Sequence, residues 1–470
     1  MNKLPGKSIF RAYDIRGIYP LEINENYALL IGKALGTFFV RKGFGKCVVG
    51  CDDRSSSPSI LENLINGLLN TGVDVTDTGL TLTPAIHYLT FHNDFDFGIN
   101  VTASHNPKEY NGFRIDYAGA RPFFGDDVVD LYNLIKKNDF EAPRERGVYT
   151  KRDLADEYIN YFIKTFKFTK KLRVVIDCGN GAVSKFGKEI FESTGCEVLQ
   201  VRCELDSEFS KGMPNPEDKK FMKELSKQVK VLKADLGFAF DADGDRFGVV
   251  DECGNIYEND KIMLLIAEDI LSTNPGERVY YDIKCSGVVE SEIKRMGGVS
   301  IMIRTGHPFF VEHVRKDGLI GCELSGHMYF KHGNDVAYDD GIYAACRVLE
   351  VLDNKNKSLS LLMNKYPKRF HSDEIKVKCS DDLKFLIIDD IKSDLQNSGH
   401  RFLNIDGVRA SVTDTDWFLI RASNTSPYLS IRMEGLEPAR VWAIREIILS
   451  ILRKYHLDMS ELKKAKIIYS

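Results

Sequence analysis

One pattern recurs three times along this chain, and it restricts the possible fold more than any other feature. Each copy opens on a β-rich run ending at aspartate: Val48–Asp52, Val174–Asp177 and Val279–Asp282. Each passes through a helix-like stretch, turns at a glycine and enters a second run, at Gly72–Val75, Gly195–Val198 and Gly298–Ile301. Glycine takes the left-handed cap at little cost, so glycine followed by a β-branched run marks a helix feeding a strand. A third short run follows in each copy: Phe97–Val101, Leu236–Phe240 and Leu319–Gly321. Each third run breaks at once into a polar loop: Thr102–Pro107, Asp241–Arg246 and Glu323–His327.

Alternating strands and helices predict an α/β fold with three related αβα domains. Ligands in such sheets sit beyond the carboxyl ends of the strands, where these loops emerge. If the three loops converge, one cleft is built from three parts. From about Arg369 the pattern changes. Strand-like runs at Glu374–Val377, Gly407–Ser411, Trp417–Ile420 and Leu429–Met433 precede an amphipathic helix near Ala439–Tyr455. This predicts a C-terminal α+β domain with its own polar loop, Arg421–Pro427. The expected domains are residues 1–152, 153–254, 255–368 and 369–470, with linkers at Glu141–Lys151, Asp251–Gly254 and Asn364–His371.

The 470 residues are 43% hydrophobic and 28% charged, enough apolar material for several cores. Sixty-four basic against 68 acidic side chains leave a net charge of −4, which excludes bulk electrostatic attraction to nucleic acid or membrane. The ten cysteines show no metal-ligand spacing and read as reduced thiols. Met1–Phe10 lacks the apolar core of a signal peptide, and no run approaches the ~18 apolar residues of a spanning helix. A cytoplasmic protein is expected, with neither nucleic acid nor membrane as partner.

The aspartate loop carries the sharpest chemistry. Asp241, Asp243 and Asp245 alternate, so a looped backbone can aim all three at one point, where they repel one another unless a cation sits between them. An oxygen-only donor set suits Mg²⁺ or Ca²⁺. The loop follows a strand, and Gly244 and Arg246 break the ligand pattern of a helix–loop–helix calcium site, so an enzymatic Mg²⁺ site is favoured over that or a solvated acidic turn. Arg246 beside a metal cluster suits a phosphate, and metal plus arginine is the equipment of phosphoryl transfer.

Ser104, in a tight turn at a strand end, is by itself a turn residue or helix cap. Beside a metal site it becomes a candidate nucleophile or phosphoryl carrier. Its neighbour His105 reads as a base or a packed histidine. Glu323, Ser325 and His327 offer donors and acceptors suited to sugar hydroxyls, though taken alone they read equally as a capped turn. Arg421, Ser423, Asn424, Thr425 and Ser426 form either a hydroxyl-rich turn or an oxyanion cradle for a phosphate. The segment Arg11–Gly17 clusters two arginines near an aspartate, which a surface ion pair would also explain.

Taken together, Thr102–Pro107, Asp241–Arg246, Phe10–Gly17, Glu323–His327 and Arg421–Pro427 resemble the α-D-phosphohexomutase superfamily, in family order over nearly the whole chain. The Arg-Ala-Ser-Asn-Thr stretch at Arg421–Thr425 resembles the bacterial phosphomannomutase/phosphoglucomutase branch. The resemblance implies four domains in a heart shape around a central cleft. It implies a reversible exchange of hexose 1- and 6-phosphates, of mannose or glucose, by an isomerase. Ser104 would be the phosphoserine carrier, with one Mg²⁺ held by Asp241, Asp243, Asp245 and Ser104, and a hexose 1,6-bisphosphate as intermediate and activator. Arg421, Ser423, Asn424 and Thr425 would hold the non-transferring phosphate with Tyr13 nearby, and Glu323 and Ser325 the sugar O3 and O4. His327, His307, Lys284, Arg11 and Arg246 match active-site positions of the family. A monomer or weak dimer is expected, with a phosphosugar as the partner.

Two residues depart from the family pattern. Arg114 stands where lysine usually follows Asn-Gly-Phe, and a guanidinium is a poor general acid or base at neutral pH, so proton transfer would fall to His307 or another group. Cys322 stands where glycine usually precedes the glutamate, adding bulk beside the sugar loop. A phosphoglucosamine mutase, a binding protein without turnover and a phosphatase are the alternatives.

Overall fold

The computed structural model describes residues 4–331, 337–424 and 426–470. Four sheets organise the chain. In the first, the strands run in the order Ile15–Ile18, Tyr110–Tyr117, Phe97–Val101, Lys46–Cys51, Asp74–Leu80, Tyr149–Lys151. In the second the order is Ile256–Tyr257, Phe247–Asp251, Leu236–Phe240, Arg173–Asp177, Glu197–Val201. In the third it is Val299–Ile303, Arg278–Asp282, Gly318–Cys322, Met328–Phe330.

The three-fold repeat is visible in the pairing. In each sheet the first strand of the repeat lies between its second and third, all parallel. An antiparallel strand then returns along the third: Tyr110–Tyr117, Phe247–Asp251 and Met328–Phe330. The polar loops therefore occupy one equivalent place, the reversal after the third strand. Phe97–Val101 and Leu236–Phe240 are buried at every position, which anchors their loops in rigid β-structure.

All three expected linkers run into sheets, with Asp251 closing Phe247–Asp251 and Phe370 opening Phe370–Ser372. Tyr149–Lys151, inside the stretch Glu141–Lys151, pairs in parallel with Asp74–Leu80 and covers that edge. Gly147 permits the approach, since a Cβ there would stand 1.9 Å from the Val73 carbonyl oxygen. Ile256–Tyr257 extends the second sheet past residue 254. The fourth sheet is antiparallel and includes Phe370–Ser372, Val408–Ser411, Trp417–Ala422 and Tyr428–Gly435. Helices Asp381–Asn397 and Pro438–Leu452 pack on it, forming a separate core around Ile391, Ile420, Ile431 and Ile448.

The second and third sheets share one continuous hydrophobic core, whereas the first has its own. The fourth domain is tied to the third by buried polar contacts. Arg409 Nη1 donates to the Ile283 and Cys285 carbonyls at 2.6 and 2.7 Å, and Gly287 N–H donates to Glu434 Oε1 at 2.9 Å.

Candidate active site

All five polar segments meet at one cleft of about 570 Å³, lined by Arg11, Tyr13, Ser104, Arg114, Asp245, Arg246, Lys284, His307, Glu323, Ser325, His327, Arg421, Ser423 and Asn424 among others. Thr425 lies outside the described residues. A larger hollow of about 890 Å³ is lined by Leu61, Ile65, Arg146 and Tyr149 of the first domain among others, and by none of the candidate side chains among the described residues.

Ser104 sits at φ +48, a left-handed conformation that non-glycine residues seldom adopt. The strain is held from outside the side chain. Thr102 Oγ1 accepts from Ser104 N–H at 2.9 Å. Arg54, buried and paired with Asp52, donates to the carbonyls of Ser104, Asn106 and Pro107 at 2.5, 2.8 and 2.8 Å. The hydroxyl is left to point across the domain boundary, where it donates to Asp241 Oδ2 at 2.7 Å.

Asp241, Asp243 and Asp245 present ligand oxygens within 4.8 Å of one another. All three are buried. Thr83 Oγ1 donates to Asp243 Oδ2 at 2.7 Å, while Gly244 N–H donates to Asp241 Oδ1 at 3.1 Å. Asp243 Oδ1 and Asp245 Oδ1 are buried without a hydrogen-bond partner among the described residues. Orphaned anionic oxygens are costly unless a cation satisfies them, so the residues fit a hard divalent ion. Burial, then the Asp243 charge, pushes Asp245 up to about 6. Burial followed by Asp245 and Asp243 raises Asp241 well above the carboxylate range. A bound cation would reverse both shifts.

The opposite wall is cationic. Arg421 Nε donates to Asp406 Oδ2 at 2.9 Å, which aims the guanidinium at the cleft. Lys284 Nζ lies 3.6 Å from Glu374 and 3.7 Å from Asp282; burial opposes its charge, but the two carboxylates hold it protonated. Glu323 accepts from Gly306 N–H at 3.0 Å and from Tyr329 O–H at 2.8 Å, so its carboxylate is fixed at the cleft floor. His307 opens helix His307–Asp317, and its buried Nε2 has no hydrogen-bond partner among the described residues. Burial and then the Arg114 charge hold it well below the usual histidine range, hence neutral.

Matches to family models cover four successive segments, described as phosphoglucomutase/phosphomannomutase alpha/beta/alpha domains I, II and III and C-terminal domain, at residues 7–142, 156–254, 258–370 and 374–451. The chain belongs to the phosphoglucomutase/phosphomannomutase family. It is similar to the phosphomannomutase/phosphoglucomutase of Pseudomonas putida, with 37% identity over 94% of each chain. It also resembles the phosphomannomutase of Escherichia coli, 34% identical over 94% of this chain and 99% of the relative. A crystal structure of a phosphoglucomutase/phosphomannomutase family protein from Burkholderia thailandensis superposes with a TM-score of 0.88 at 31% identity, covering 99% of this chain and 100% of the other.

Further side chains around the cleft carry no local signal of their placement in the sequence. Arg16, rather than Arg11, reaches the serine loop, donating to Asn106 Oδ1 at 3.2 Å. Arg11 lines the cleft rim and pairs with Asp381 at 3.1 Å. Asp339 is the hub of a buried network. Arg114 Nη2 lies 3.1 Å from its Oδ1, His87 Nε2 3.3 Å from the same oxygen, and His327 Nδ1 2.8 Å from Oδ2. His327 Nε2 accepts from Arg246 Nε at 2.8 Å, which leaves Nδ1 as the protonated nitrogen facing Asp339. Cys322 lies beside the sugar loop as expected, its thiol 3.3 Å from the Glu323 carbonyl, and is wholly buried in the core shared by the second and third sheets, so it acts from behind the loop and does not line the cleft.

The same network predicts a pH response. His87 Nδ1 also lies 2.8 Å from Asp116. Burial opposes the imidazolium, but Asp116 and Asp339 outweigh it and raise His87 to about 9. A raised value stabilises the fold fully below the unfolded pKa of about 6.5, and the gain is lost as pH rises through about 9. Denaturant titrations between those pH values should therefore lose about 3 kcal/mol of stability. His87→Gln should flatten that slope; an unchanged slope would refute the assignment.

Proposed function

We propose that the chain is a reversible phosphohexomutase that interconverts the 1- and 6-phosphates of mannose and glucose, with Ser104 as phosphoryl carrier. The observation that carries this reading is the Ser104 hydroxyl held 2.7 Å from Asp241, across one cleft from the Arg421 loop. Curated relatives named phosphomannomutase/phosphoglucomutase support it.

The non-transferring phosphate would rest on Arg421, Ser423 and Asn424, with Tyr13 and Lys284 closing around it. Glu323 and Ser325 would hold the sugar hydroxyls, so the reacting oxygen faces Ser104 at the far end. In the first transfer the bond from phosphorus to Ser104 Oγ breaks as a bond to the sugar oxygen forms. The hydroxyl proton needs a base, and His307 Nε2 is neutral, buried and free to accept it. Arg114 stays protonated beside Asp339 and with Arg246 neutralises charge on the moving group. The resulting 1,6-bisphosphate turns over and returns its other phosphoryl group to Ser104. Asp241, Asp243, Asp245 and an oxygen on Ser104 would hold Mg²⁺, which when bound neutralises the phosphoryl oxygens.

Purified protein with Mg²⁺ and a trace of glucose 1,6-bisphosphate should interconvert the 1- and 6-phosphates. Rates with mannose, glucose and glucosamine phosphates, compared directly, rank the sugars. No interconversion would sink the mutase reading, and release of inorganic phosphate instead would make the protein a phosphatase. Arg421→Ala should raise KM roughly thirtyfold, about 2 kcal/mol, with little change in kcat, because its phosphate contact persists through the reaction. An unchanged KM would remove Arg421 from that role.

A further inference from the structure

The loop that faces the cleft from the fourth domain is gripped from behind by a lysine outside every sequence motif. Lys384 lies in helix Asp381–Asn397 and is 2% exposed. Its ammonium donates to Asp381 Oδ1 at 2.7 Å, to the Ser423 carbonyl at 2.5 Å and to the Ser426 carbonyl at 3.1 Å. An ammonium has three donors, and all three are engaged within the chain, so nothing remains for a ligand. Lysine is seldom buried unless such partners satisfy it.

The consequence for the cleft follows from peptide geometry. The Ser423 carbonyl and the Asn424 N–H belong to one planar trans unit and point in opposite directions. Drawing that carbonyl back onto Lys384 turns the Asn424 N–H outward, on a stretch whose Ser423 and Asn424 side chains line the cleft. The other oxygen of Asp381 accepts from Arg11 Nη1 at 3.1 Å, and Arg11 belongs to the first domain and lines the same cleft. One carboxylate thus joins the first domain to the lysine that holds the loop.

We propose that Lys384 is the positioning residue of the phosphate-binding loop, and that Asp381 couples it to Arg11 across the mouth of the cleft. This rests on the phosphohexomutase reading for the nature of the ligand. Lys384→Met keeps the length of the side chain and deletes all three bonds. It should raise KM for glucose 1-phosphate about tenfold while kcat stays within threefold, and should weaken calorimetric binding of glucose 6-phosphate by the same factor. Amide exchange in the peptide spanning Ser423–Tyr428 should accelerate, while Lys384→Arg should recover part of the affinity. Unchanged KM and binding in the folded variant would overturn the proposal, as would a fall in kcat at constant KM. If Lys384→Met does not fold, Asp381→Asn decides: a KM raised threefold or more with normal kcat supports the coupling, and a normal KM overturns it. Calorimetry needs no turnover, so wild-type protein that binds hexose phosphate without converting it would refute the mutase reading separately.

Discussion

Ser104→Ala should abolish turnover and leave binding intact. The loop conformation depends on Arg54, which holds three loop carbonyls, and on Thr102, which accepts the Ser104 N–H; neither touches the Ser104 side chain. Alanine and serine bear the left-handed φ of +48 at similar cost, so the substitution deletes one oxygen and little else. The remote binding groups, Arg421 and Glu323, lie on other domains and are untouched. kcat should fall by about 10⁴-fold or more, as when a covalent carrier is removed, while the dissociation constant of glucose 1-phosphate moves less than threefold. Intact mass should show a phosphoryl group on wild-type protein after incubation with glucose 1,6-bisphosphate, removable by hexose 1-phosphate, and none on the variant. A variant retaining a tenth of the normal rate would show that another group carries the phosphoryl.

The repeat was legible because its signals are local. Three apolar runs, three glycine turns and three polar loops recur at matched positions, and the structure places those loops at one equivalent reversal in each sheet. The aspartates and Ser104 were legible for the same reason, since their chemistry is concentrated within a few residues. What supports them was not. Arg114 and Asp339 are 225 residues apart in sequence, and nothing local to Asp339 distinguishes it from any surface aspartate. Arg54 and Lys384 are single basic residues whose significance arises only when the chain folds over them. The side to which Cys322 turns was not legible, because Gly318–Cys322 is apolar throughout and buried at every position, leaving no alternation to read. The strand Tyr149–Lys151 escaped because all three of its residues are exposed, so no period-two pattern exists to read.

Asp339→Asn should be the most destabilising conservative change in the site. The carboxylate is wholly buried and faces Arg114, His87 and the Nδ1–H of His327. These groups hold Asp339 well below the usual carboxylate range despite its burial. An amide is nearly the same size but cannot satisfy this ring. Its NH₂ must face either His327 or the Arg114 and His87 pair, placing donor against donor, and two buried cations lose their common counter-charge. Breaking a buried pair in this way costs about 3–5 kcal/mol, which denaturant titration would read directly. Catalysis should fall as well, by about tenfold or more in kcat/KM, because Arg114 and His327 line the cleft and lose the anchor that orients them. Because His87 contacts Asp339 as well as Asp116, the Asp339→Asn, His87→Gln double variant should lose less stability than the two single losses summed. Strict additivity of the two substitutions would mean that His87 and Asp339 do not interact in the folded protein, and the network would have to be redrawn.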